Sequence, residues 1–274
     1  MAVDLHIHSL WSDGTDTPYD IVIKAKNSGI STISVTDHDT TAGVAKAIMA
    51  GEQHGVMVIP GIEWSVVHEG FSFHMLGYFF DPQDPHLVEA LTGIQDARIQ
   101  RNENILKKLA SLGISISYEE LASFSEKGQI GRPHIALALV QRRIVTNIEE
   151  AFRKYLGRGC AGHVPRKPFA ATRAITLVRE AGGVAVLAHP GSTDPSLRRI
   201  PRLLEALAPV GLGGIEIYYP SHTKAMRRKL HEMARYYHLA VSGGSDYHGN
   251  NRPGTLADGQ YLLVPDEVVE SLKA

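Results

Sequence analysis

Histidines and carboxylates recur at or near the ends of apolar, strand-like segments along this chain. This pattern favours a fold whose strand ends converge, as in a parallel α/β barrel, where chemistry gathers at the carboxyl ends of the strands. The nine residues in the pattern are His6, His8, Asp13, His38, Glu63, His74, His189, Asp246 and His248. We expect them to form one cluster.

The first strand carries the clearest part of this pattern. Residues 3–8 alternate apolar and polar, which is the period of a half-buried strand. The expected faces are Asp4, His6 and His8 on one side, and Val3, Leu5 and Ile7 on the other. A lone histidine on a strand is usually structural, but two imidazoles on one face can bind one ion, and the downstream recurrence favours that interpretation.

The types of ligand indicate which ions could bind. Imidazoles and carboxylates without thiolates suit Zn²⁺, Mn²⁺ or Fe²⁺. Nine side chains are too many for one ion that must also hold a substrate, so we predict two or three divalent metal ions.

Length and composition allow a full hydrophobic core in one large α/β barrel, since 43% of the 274 residues are hydrophobic. The formal net charge of −1 does not fit a polycation that binds duplex DNA, so any contact with nucleic acid would come from a local patch, and we expect a small or short substrate. The single cysteine, Cys160, excludes an internal disulfide framework and is typical of a reducing cytoplasm. We expect a cytoplasmic protein with no signal peptide, no membrane contact and no obligate protein partner.

Strand-like and helix-like segments alternate in two blocks of the chain. The first block has predicted strands at 3–8, 31–36, 56–60 and 71–79, with helices at 18–28 and 41–54. The second has predicted strands at 184–188, 214–218, 239–243 and 260–264, with helices at 169–182, 200–208 and 222–238. This alternation indicates βα units in a parallel sheet or barrel.

The pattern changes between residues 81 and 168. A long amphipathic helix is predicted at 87–112, and further helices at 118–124, 133–141 and 147–156. We interpret residues 81–168 as a helical insertion, and residues 1–80 and 169–274 as the barrel that carries the metal site. An insertion between barrel strands lies over their carboxyl ends as a cap, where it could select the substrate.

Four motifs resemble those of the PHP (polymerase and histidinol phosphatase) superfamily. They are DLHIHS at 4–9, TDHDT at 36–40, AHPG at 188–191 and SDYHG at 245–249. The resemblance implies an α/β fold, a distorted seven-stranded (β/α) barrel of PHP type with an inserted helical cap. Within the superfamily, GRPH at 131–134 and the GxEW-like segment at 61–64 are similar to bacterial nucleoside 3',5'-bisphosphate phosphatases and 5'-to-3' exoribonucleases.

The resemblance also implies which residues hold each ion. The three sets are His6, His8, Glu63 and Asp246; Asp13, His38 and His248; and Glu63, His74 and His189, with Glu63 as the bridge. A water shared by two such ions has a lowered pKa, so hydroxide can attack phosphorus without a protein nucleophile. Asp4, Asp37 and Asp39 lie close enough in sequence to orient the imidazoles, although capping or turn roles are equally compatible.

We therefore predict a metal-dependent phosphoesterase. It would remove the 3'-phosphate of nucleoside 3',5'-bisphosphates, such as adenosine 3',5'-bisphosphate, and degrade short 5'-phosphorylated RNA in the 5'-to-3' direction. The second phosphate needs cations beyond the metals, and the candidates are Arg132 and Arg158, with His134 beside Arg132. Tyr218 and Tyr219, together with His222, could stack on a nucleobase. Surface ion pairs and structural packing are the ordinary alternatives for these residues.

Two other functions share the barrel motifs. A histidinol-phosphate phosphatase, or another phosphatase of small monoesters, would use the same metal chemistry. A metal-binding PHP module without turnover would not need every ligand position filled. The cap sequence argues against the first function, and the nine ligands argue against the second.

Overall fold

Seven strands form one sheet in the computed structural model, which describes residues 2–124 and 129–273. The strands, which lie side by side in chain order, are β1 (Ala2–Ile7), β2 (Ile30–Val35), β3 (Met57–His68), β4 (Phe71–Tyr78), β5 (Val184–Leu187), β6 (Leu212–Tyr218) and β7 (Ala240–Gly243). β1, β2 and β3 are parallel, as are β5, β6 and β7, whereas β4 is antiparallel to both of its neighbours. The sheet is therefore mostly parallel, as the alternation predicted.

The two edges of the sheet meet just beyond β7. The Asp246 N–H donates to the His6 carbonyl, and the His8 N–H donates to the Tyr247 carbonyl, both at 2.8 Å. These bonds extend the ladder through a parallel bridge between Ile7 and Tyr247. The prediction of a distorted seven-stranded barrel is confirmed.

Helices connect the strands and cover the barrel. In chain order they are α1 (Pro18–Asn27), α2 (Val44–His54), α3 (Pro85–Ser111), α4 (Tyr118–Ala122), α5 (Arg132–Gln141), α6 (Ile148–Ala151), α7 (Ala171–Glu180), α8 (Pro190–Thr193), α9 (Ile200–Leu207), α10 (Lys224–Tyr236) and α11 (Glu267–Ser271). A π-helical turn (Phe152–Leu156) continues α6, and 3₁₀ turns occupy Ala208–Val210 and Gly249–Asn251. Residues typical of helix ends lie where helices begin and end: Pro18 opens α1 behind a Thr17–Asp20 capping box, and Gly55 closes α2 with φ 72°.

The hairpin of β3 and β4 departs from the prediction that β3 ends at residue 60. β3 continues to His68 and pairs with β4 along residues 61–68, so Glu63 lies inside a strand rather than after it. Glu69 and Gly70 connect the strands with φ values of 47° and 76°, the left-handed backbone that tight hairpins use. The apolar run to residue 60 marked only the parallel half of the strand.

The prediction of a last strand at 260–264 is wrong. This segment has no strand partner in the described part of the chain. Its apolar residues Leu262 and Val264 are buried against Val3 and Leu76, which explains the strand-like sequence. Burial produced the pattern without a hydrogen-bonded ladder.

The predicted faces of β1 are also partly wrong. Val3 and Leu5 pack with Leu76, whereas Ile7 packs in a different cluster with Ile21 of α1. The register between β1 and β2 shifts between Asp4 and Ile7, so the strict alternation of faces ends before the strand does.

Residues between β4 and β5 have a core of their own. Helices α3 to α6 correspond to the predicted helices, and they enclose Ile105, Leu109, Leu121, Ile135 and Leu139. Every member of this cluster, including its partly buried neighbours, falls within residues 105–164. In the ranges 2–124 and 129–273, no helix combines the length and apolarity that crossing a bilayer requires.

Asp4 of β1 binds the segments that follow β7, where the barrel closes, and so gives a test of the fold. Its carboxylate is buried and accepts hydrogen bonds from the Ser245 N–H (2.9 Å), the Ser245 hydroxyl (2.6 Å) and the Ala257 N–H (2.9 Å), while burial raises its pKa to about 6. We expect Asp4→Ala to lower the free energy of unfolding by about 3 kcal/mol, because buried donors lose their acceptor. Urea unfolding of the metal-free protein measures this. Asp96→Ala, at an exposed site on α3, is the control and should cost no more than about 0.5 kcal/mol. Equal stability of the two variants would contradict this role.

Candidate metal centre

The nine predicted ligands come together at one end of the barrel. They lie at strand ends, in the β3–β4 hairpin or in the loops that follow strands. Their ligand atoms form four overlapping groups, each with all atoms within 4.8 Å of one another. The groups are His8, Asp13, His38 and His248; His6, Glu63 and His189; His6, His8 and Asp246; and His38, Glu63 and His74.

Glu63 lies at the centre of these groups. Its Oε1 atom is 2.9 Å from His189 Nε2, 3.0 Å from His74 Nδ1 and 3.5 Å from His6 Nε2. Its Oε2 atom is 2.9 Å from His38 Nδ1 and 3.3 Å from His8 Nε2. One buried carboxylate therefore contacts five imidazoles.

The backbone holds Glu63 against the turn that follows β2. The Glu63 N–H donates to the Asp37 carbonyl at 3.2 Å, and the Asp39 N–H donates to the Glu63 carbonyl at 2.9 Å. Asp39, His189 and Asp246 have φ values of 52°, 24° and 54°, which are uncommon for residues other than glycine. Such conformations persist where the surrounding structure imposes them, and they cluster at functional sites.

The charges of the cluster are strongly coupled. Burial acts to raise the pKa of Glu63, but His38, His74 and His6 hold it well below its usual range. Burial acts to lower the pKa of His8, yet the Asp246 and Glu63 carboxylates raise it to about 10. The carboxylates thus stay ionised and are stable only beside positive charge. Divalent cations can supply this charge in place of imidazole protons.

Unpaired atoms in the cluster fit a set of metal ions. His6 Nε2, His8 Nε2, His38 Nδ1 and His248 Nε2 are buried and have no partner in hydrogen-bond geometry within residues 2–124 and 129–273, although carboxylate oxygens lie as close as 2.9 Å. Within the same residues, Glu63 Oε2 and Asp13 Oδ1 are likewise buried without a partner in that geometry. Leaving a buried polar atom unpaired costs roughly 1–3 kcal/mol, so this concentration of them points to a ligand. Nitrogen and oxygen atoms without thiolate are the donor set of Zn²⁺, Mn²⁺ or Fe²⁺.

The grouping differs in detail from the sets that the family resemblance implied. Asp13, His38 and His248 lie together as expected, but His8 joins them. Glu63 contacts both His74 and His189 as expected, although His74 and His189 fall in separate groups, the first with His38 and the second with His6. His6, His8 and Asp246 form one group as expected, although Glu63 is not a member of it.

The carboxylate that orients imidazole His6 is Glu216, which sequence reasoning missed. Glu216 Oε1 lies 2.9 Å from His6 Nδ1, and Glu216 Oε2 accepts from the His189 N–H at 2.6 Å. Glu216 is fully buried in β6, so a lone carboxylate in the apolar segment 214–218 was the signal that could have identified it.

The three aspartates considered for this orienting role bind other groups. Asp4 accepts from backbone and hydroxyl donors at Ser245 and Ala257. Asp37 accepts from Ser9 and Ser12, and Ser12 Oγ lies 3.4 Å from His8 Nδ1, so Asp37 reaches an imidazole only through a hydroxyl. Asp39 binds arginines from the residues between β4 and β5.

A cavity of about 820 Å³ adjoins the cluster. Its lining includes the ligand-type residues Asp13, His38, His74 and His189 and the arginines Arg98, Arg101, Arg132, Arg158, Arg166 and Arg252. The Asp39 Oδ2 atom accepts from both Arg98 and Arg166, the latter at 2.7 Å. Sequence reasoning named only Arg132 and Arg158; Arg98 and Arg101, one turn apart on α3, were the available further signal.

These arginines outnumber the carboxylates that neutralise them. Burial, followed by the charges of Arg132, Arg166 and Arg98, lowers the pKa of Arg101 to about 10. Arg98 and Arg166 share the single carboxylate of Asp39. The cavity therefore joins a cluster of metal-type ligands to a set of cations suited to an anion.

Of the residues predicted to bind the second phosphate, Arg132 and Arg158 line the cavity and His134 does not. Arg132 lines the cavity with its guanidinium 5.3 Å from the Phe152 ring centroid, and Arg158 lines it as an exposed side chain. His134 is buried, and its Nδ1 atom accepts from the Gly131 N–H at 3.0 Å in the cap of α5. His134 thus shapes the GRPH turn and does not line this cavity.

The positions of Tyr218 and His222 do not support the stacking roles predicted for them. Neither residue lines the cavity. Both nitrogens of His222 are engaged, with the Ile217 carbonyl at 2.9 Å and the Gly191 N–H at 3.0 Å, and the Tyr218 ring packs edge-on against His231. Tyr219 is the tyrosine beside the cluster, since its hydroxyl donates to Asp246 Oδ2 at 2.8 Å.

Comparison with known proteins agrees with this geometry. The family model described as the PHP domain matches residues 4–167, which is more than half of the chain. The chain belongs to the PHP family. The matched range of the PHP domain contains six of the nine candidate ligands, and the other three lie beyond it on the same end of the barrel.

Two curated PHP relatives match over most of the chain. The 5'-3' exoribonuclease Rnm of Escherichia coli is 34% identical over 247 residues, covering 89% of this chain and 84% of that protein. The 3',5'-nucleoside bisphosphate phosphatase of Chromobacterium violaceum is 32% identical over 253 residues, covering 92% and 89%. The resemblance stated from the motifs is confirmed.

A solved PHP-type structure has the same fold. It comes from Bifidobacterium adolescentis, is assigned as a metal-dependent phosphoesterase, and is 33% identical with a TM-score of 0.88, covering 98% of this chain and 94% of its own. This chain is a metal-dependent hydrolase of phosphoric esters. The relatives favour neither a histidinol-phosphate phosphatase nor a module without turnover.

Glu216 provides a test of the centre that does not depend on a substrate. We expect Glu216→Ala to weaken Mn²⁺ or Zn²⁺ affinity by about 10–100-fold, because His6 loses the partner that fixes its orientation. Competition with a chromophoric chelator measures the affinity. Glu180→Ala, at the exposed end of α7, is the matched control and should leave affinity unchanged. A folded Glu216→Ala protein with parental affinity would contradict the assignment.

Proposed function

We propose that the protein removes the 3'-phosphate of nucleoside 3',5'-bisphosphates, such as adenosine 3',5'-bisphosphate, and cleaves short 5'-phosphorylated RNA in the 5'-to-3' direction. The observation that carries this proposal is the shared lining of one cavity by metal-type ligands and by arginines. In a substrate with two phosphates, the metal ions would bind one phosphate and the arginines the other. The names of the two curated relatives agree with both activities.

The nine clustered side chains would hold two or three divalent ions, Mn²⁺, Zn²⁺ or Fe²⁺. Such ions, when bound, supply a water of lowered pKa and neutralise charge on the phosphoryl oxygens. Glu63 is the candidate bridge, because both of its oxygens face imidazoles on different sides. Glu216 and Tyr219 would position His6 and Asp246, respectively. Cys160 is not the nucleophile, since it does not line the cavity and its thiol lies 3.1 Å from the Arg153 carbonyl.

The arginines would bind the 5'-phosphate. Arg98 and Arg166 are held by Asp39, which fixes two guanidinium groups at one wall of the cavity. Arg101 and Arg132 have no carboxylate within 4.0 Å among the described residues, so their charge is available to an anion. Charge-assisted bonds from planar guanidinium groups suit a phosphate.

Residues 81–168 would act as the cap that selects the substrate. Arg98, Arg101, Arg132, Arg158 and Arg166 all belong to this range, whereas the nine ligands belong to the barrel ranges 1–80 and 169–274. We further propose a cytoplasmic location, no duplex DNA as substrate and no obligate protein partner.

Phosphate release from adenosine 3',5'-bisphosphate tests the activity itself. We expect metal-loaded parent protein to release the 3'-phosphate, and His8→Ala to lower kcat/KM by at least about 100-fold, because His8 belongs to two of the ligand groups. His54→Ala, on α2 and outside the cluster, is the matched control. Release of phosphate by His8→Ala at the parental rate would rule out this centre as the site of the reaction.

Arg132 tests the recognition of the 5'-phosphate. We expect Arg132→Ala to lower kcat/KM for adenosine 3',5'-bisphosphate by about 10–100-fold, the loss of one hydrogen-bonded charge contact. Adenosine 3'-monophosphate should be almost unaffected, because it lacks the group that Arg132 would bind. Arg153→Ala, whose side chain is 73% exposed on the π-helical turn, is the control. An equal loss on both substrates would overturn the assignment.

A further inference from the structure

A second cavity of about 390 Å³ adjoins the arginines. It shares Ser65, Arg98, Arg101, Arg166, Pro168 and Phe169 with the larger cavity. None of the nine candidate metal ligands lines it. Its size is within the range of small-molecule sites.

The two cavities define an order of chemical environments. The candidate metal centre adjoins the larger cavity, the shared arginines form the boundary, and the smaller cavity follows. A ligand that spans both cavities would meet metal ligands, then guanidinium groups, and then the lining of the smaller cavity.

The lining of the smaller cavity combines basic and apolar side chains. Lys167 and Arg173 line it in addition to the three shared arginines, while Glu89 is its one carboxylate. Lys167 and Arg173 form no ion pair among residues 2–124 and 129–273, so more positive charge is available here than one phosphate needs. Ala90, Ile94, Ala97 and Phe169 supply the apolar surface.

Small residues on α3 create the space in this cavity. Ala90, Gly93 and Ala97 recur at helical spacing and leave that face of α3 without bulk. A Cβ atom added to Gly93 would meet nothing within 4 Å. The space is therefore open to a ligand or to a larger side chain.

We infer that the smaller cavity receives the group attached beyond the 5'-phosphate, so that the enzyme also hydrolyses nucleoside 3'-phosphates whose 5' end is a diphosphate ester. This inference rests on the proposed function. The order of the cavities matches the order of such a molecule, from the 3'-phosphate through the 5'-phosphate to a second phosphate and its organic substituent. Lys167 and Arg173 bind the second phosphate, and the apolar side chains of the lining contact the substituent.

The reaction itself is ordinary ester hydrolysis. The bond between phosphorus and the 3' oxygen breaks, and the oxygen of one water molecule bonds to phosphorus. The 3' oxygen takes a proton, and inorganic phosphate leaves. The 5'-diphosphate ester stays intact, since it lies beyond the arginines.

Coenzyme A is the probe, because its adenosine carries a 3'-phosphate and a 5'-diphosphate extended by a pantetheine chain. We expect the metal-loaded parent protein to convert it to dephospho-coenzyme A and phosphate. Gly93→Leu, which fills the smaller cavity, should lower kcat/KM for coenzyme A by about 10-fold or more and leave adenosine 3',5'-bisphosphate unchanged. Thr92→Leu places the same side chain one residue away, outside the cavity, and should behave as the parent.

Binding gives a second measurement that does not require turnover. Dephospho-coenzyme A should bind the parent in calorimetry, and Gly93→Leu should weaken that binding by about 10-fold or more. The double variant Lys167→Ala, Arg173→Ala should weaken it similarly through loss of charge rather than of space.

Each alternative result has one meaning. Hydrolysis of adenosine 3',5'-bisphosphate without hydrolysis of coenzyme A overturns the inference and leaves the proposed function intact. An equal loss on both substrates in Gly93→Leu also overturns it, because the cavity then receives part of the nucleoside itself. Hydrolysis of neither substrate by the parent removes the proposed function, and the inference with it.

Discussion

The contact of Glu63 with five imidazoles is the interaction on which the rest of the site depends. A buried carboxylate is stable only where positive charge or donors surround it, and Glu63 is 1% exposed. Its strand, β3, pairs with β2 on one side and with β4 on the other, and its backbone is bonded to the turn at Asp37 and Asp39. Three separate pieces of chain thus fix one carboxylate.

A second buried carboxylate, Asp39, joins the barrel to the residues above it. It is fully buried, it is two residues from Asp37, and it holds Arg98 and Arg166. Its carbonyl also accepts from the side-chain amides of Gln95 and Gln129, at 3.1 Å and 3.0 Å. The TDHDT turn therefore positions both a candidate metal ligand, His38, and the arginines of the anion site, so the spacing between these sites is set by one turn.

Sequence reasoning succeeded where a local pattern has one structural outcome. Alternation of strands and helices predicted the barrel, and Pro18 and Gly55 marked helix ends, because such signals act within a few residues. It failed where apolar residues are buried without forming a strand, as at Leu262 and Val264, whose apolar side chains cover the barrel. It also missed the second half of β3, residues 61–68, which pairs with β4. That antiparallel pairing in a mostly parallel sheet depends on the hairpin at Glu69.

The candidate ligands were recognisable because nine unusual residues recur at strand ends, whereas their supporting residues were not. Glu216 and Arg98 look ordinary in sequence, and only the folded chain shows that each faces a buried partner. Tyr218 ends β6 and His222 follows that strand, but of the three residues considered for stacking only Tyr219 contacts the cluster. Side-chain direction after a strand end depends on loop geometry, which residue types alone do not determine.

The most direct test of this account is anomalous scattering from crystals of the metal-loaded protein, recorded at the absorption edge of the bound metal. The account predicts two or three peaks, all among the nine clustered side chains, with Glu63 between at least two of them. A fully active protein whose peaks lie away from Glu63 would contradict it.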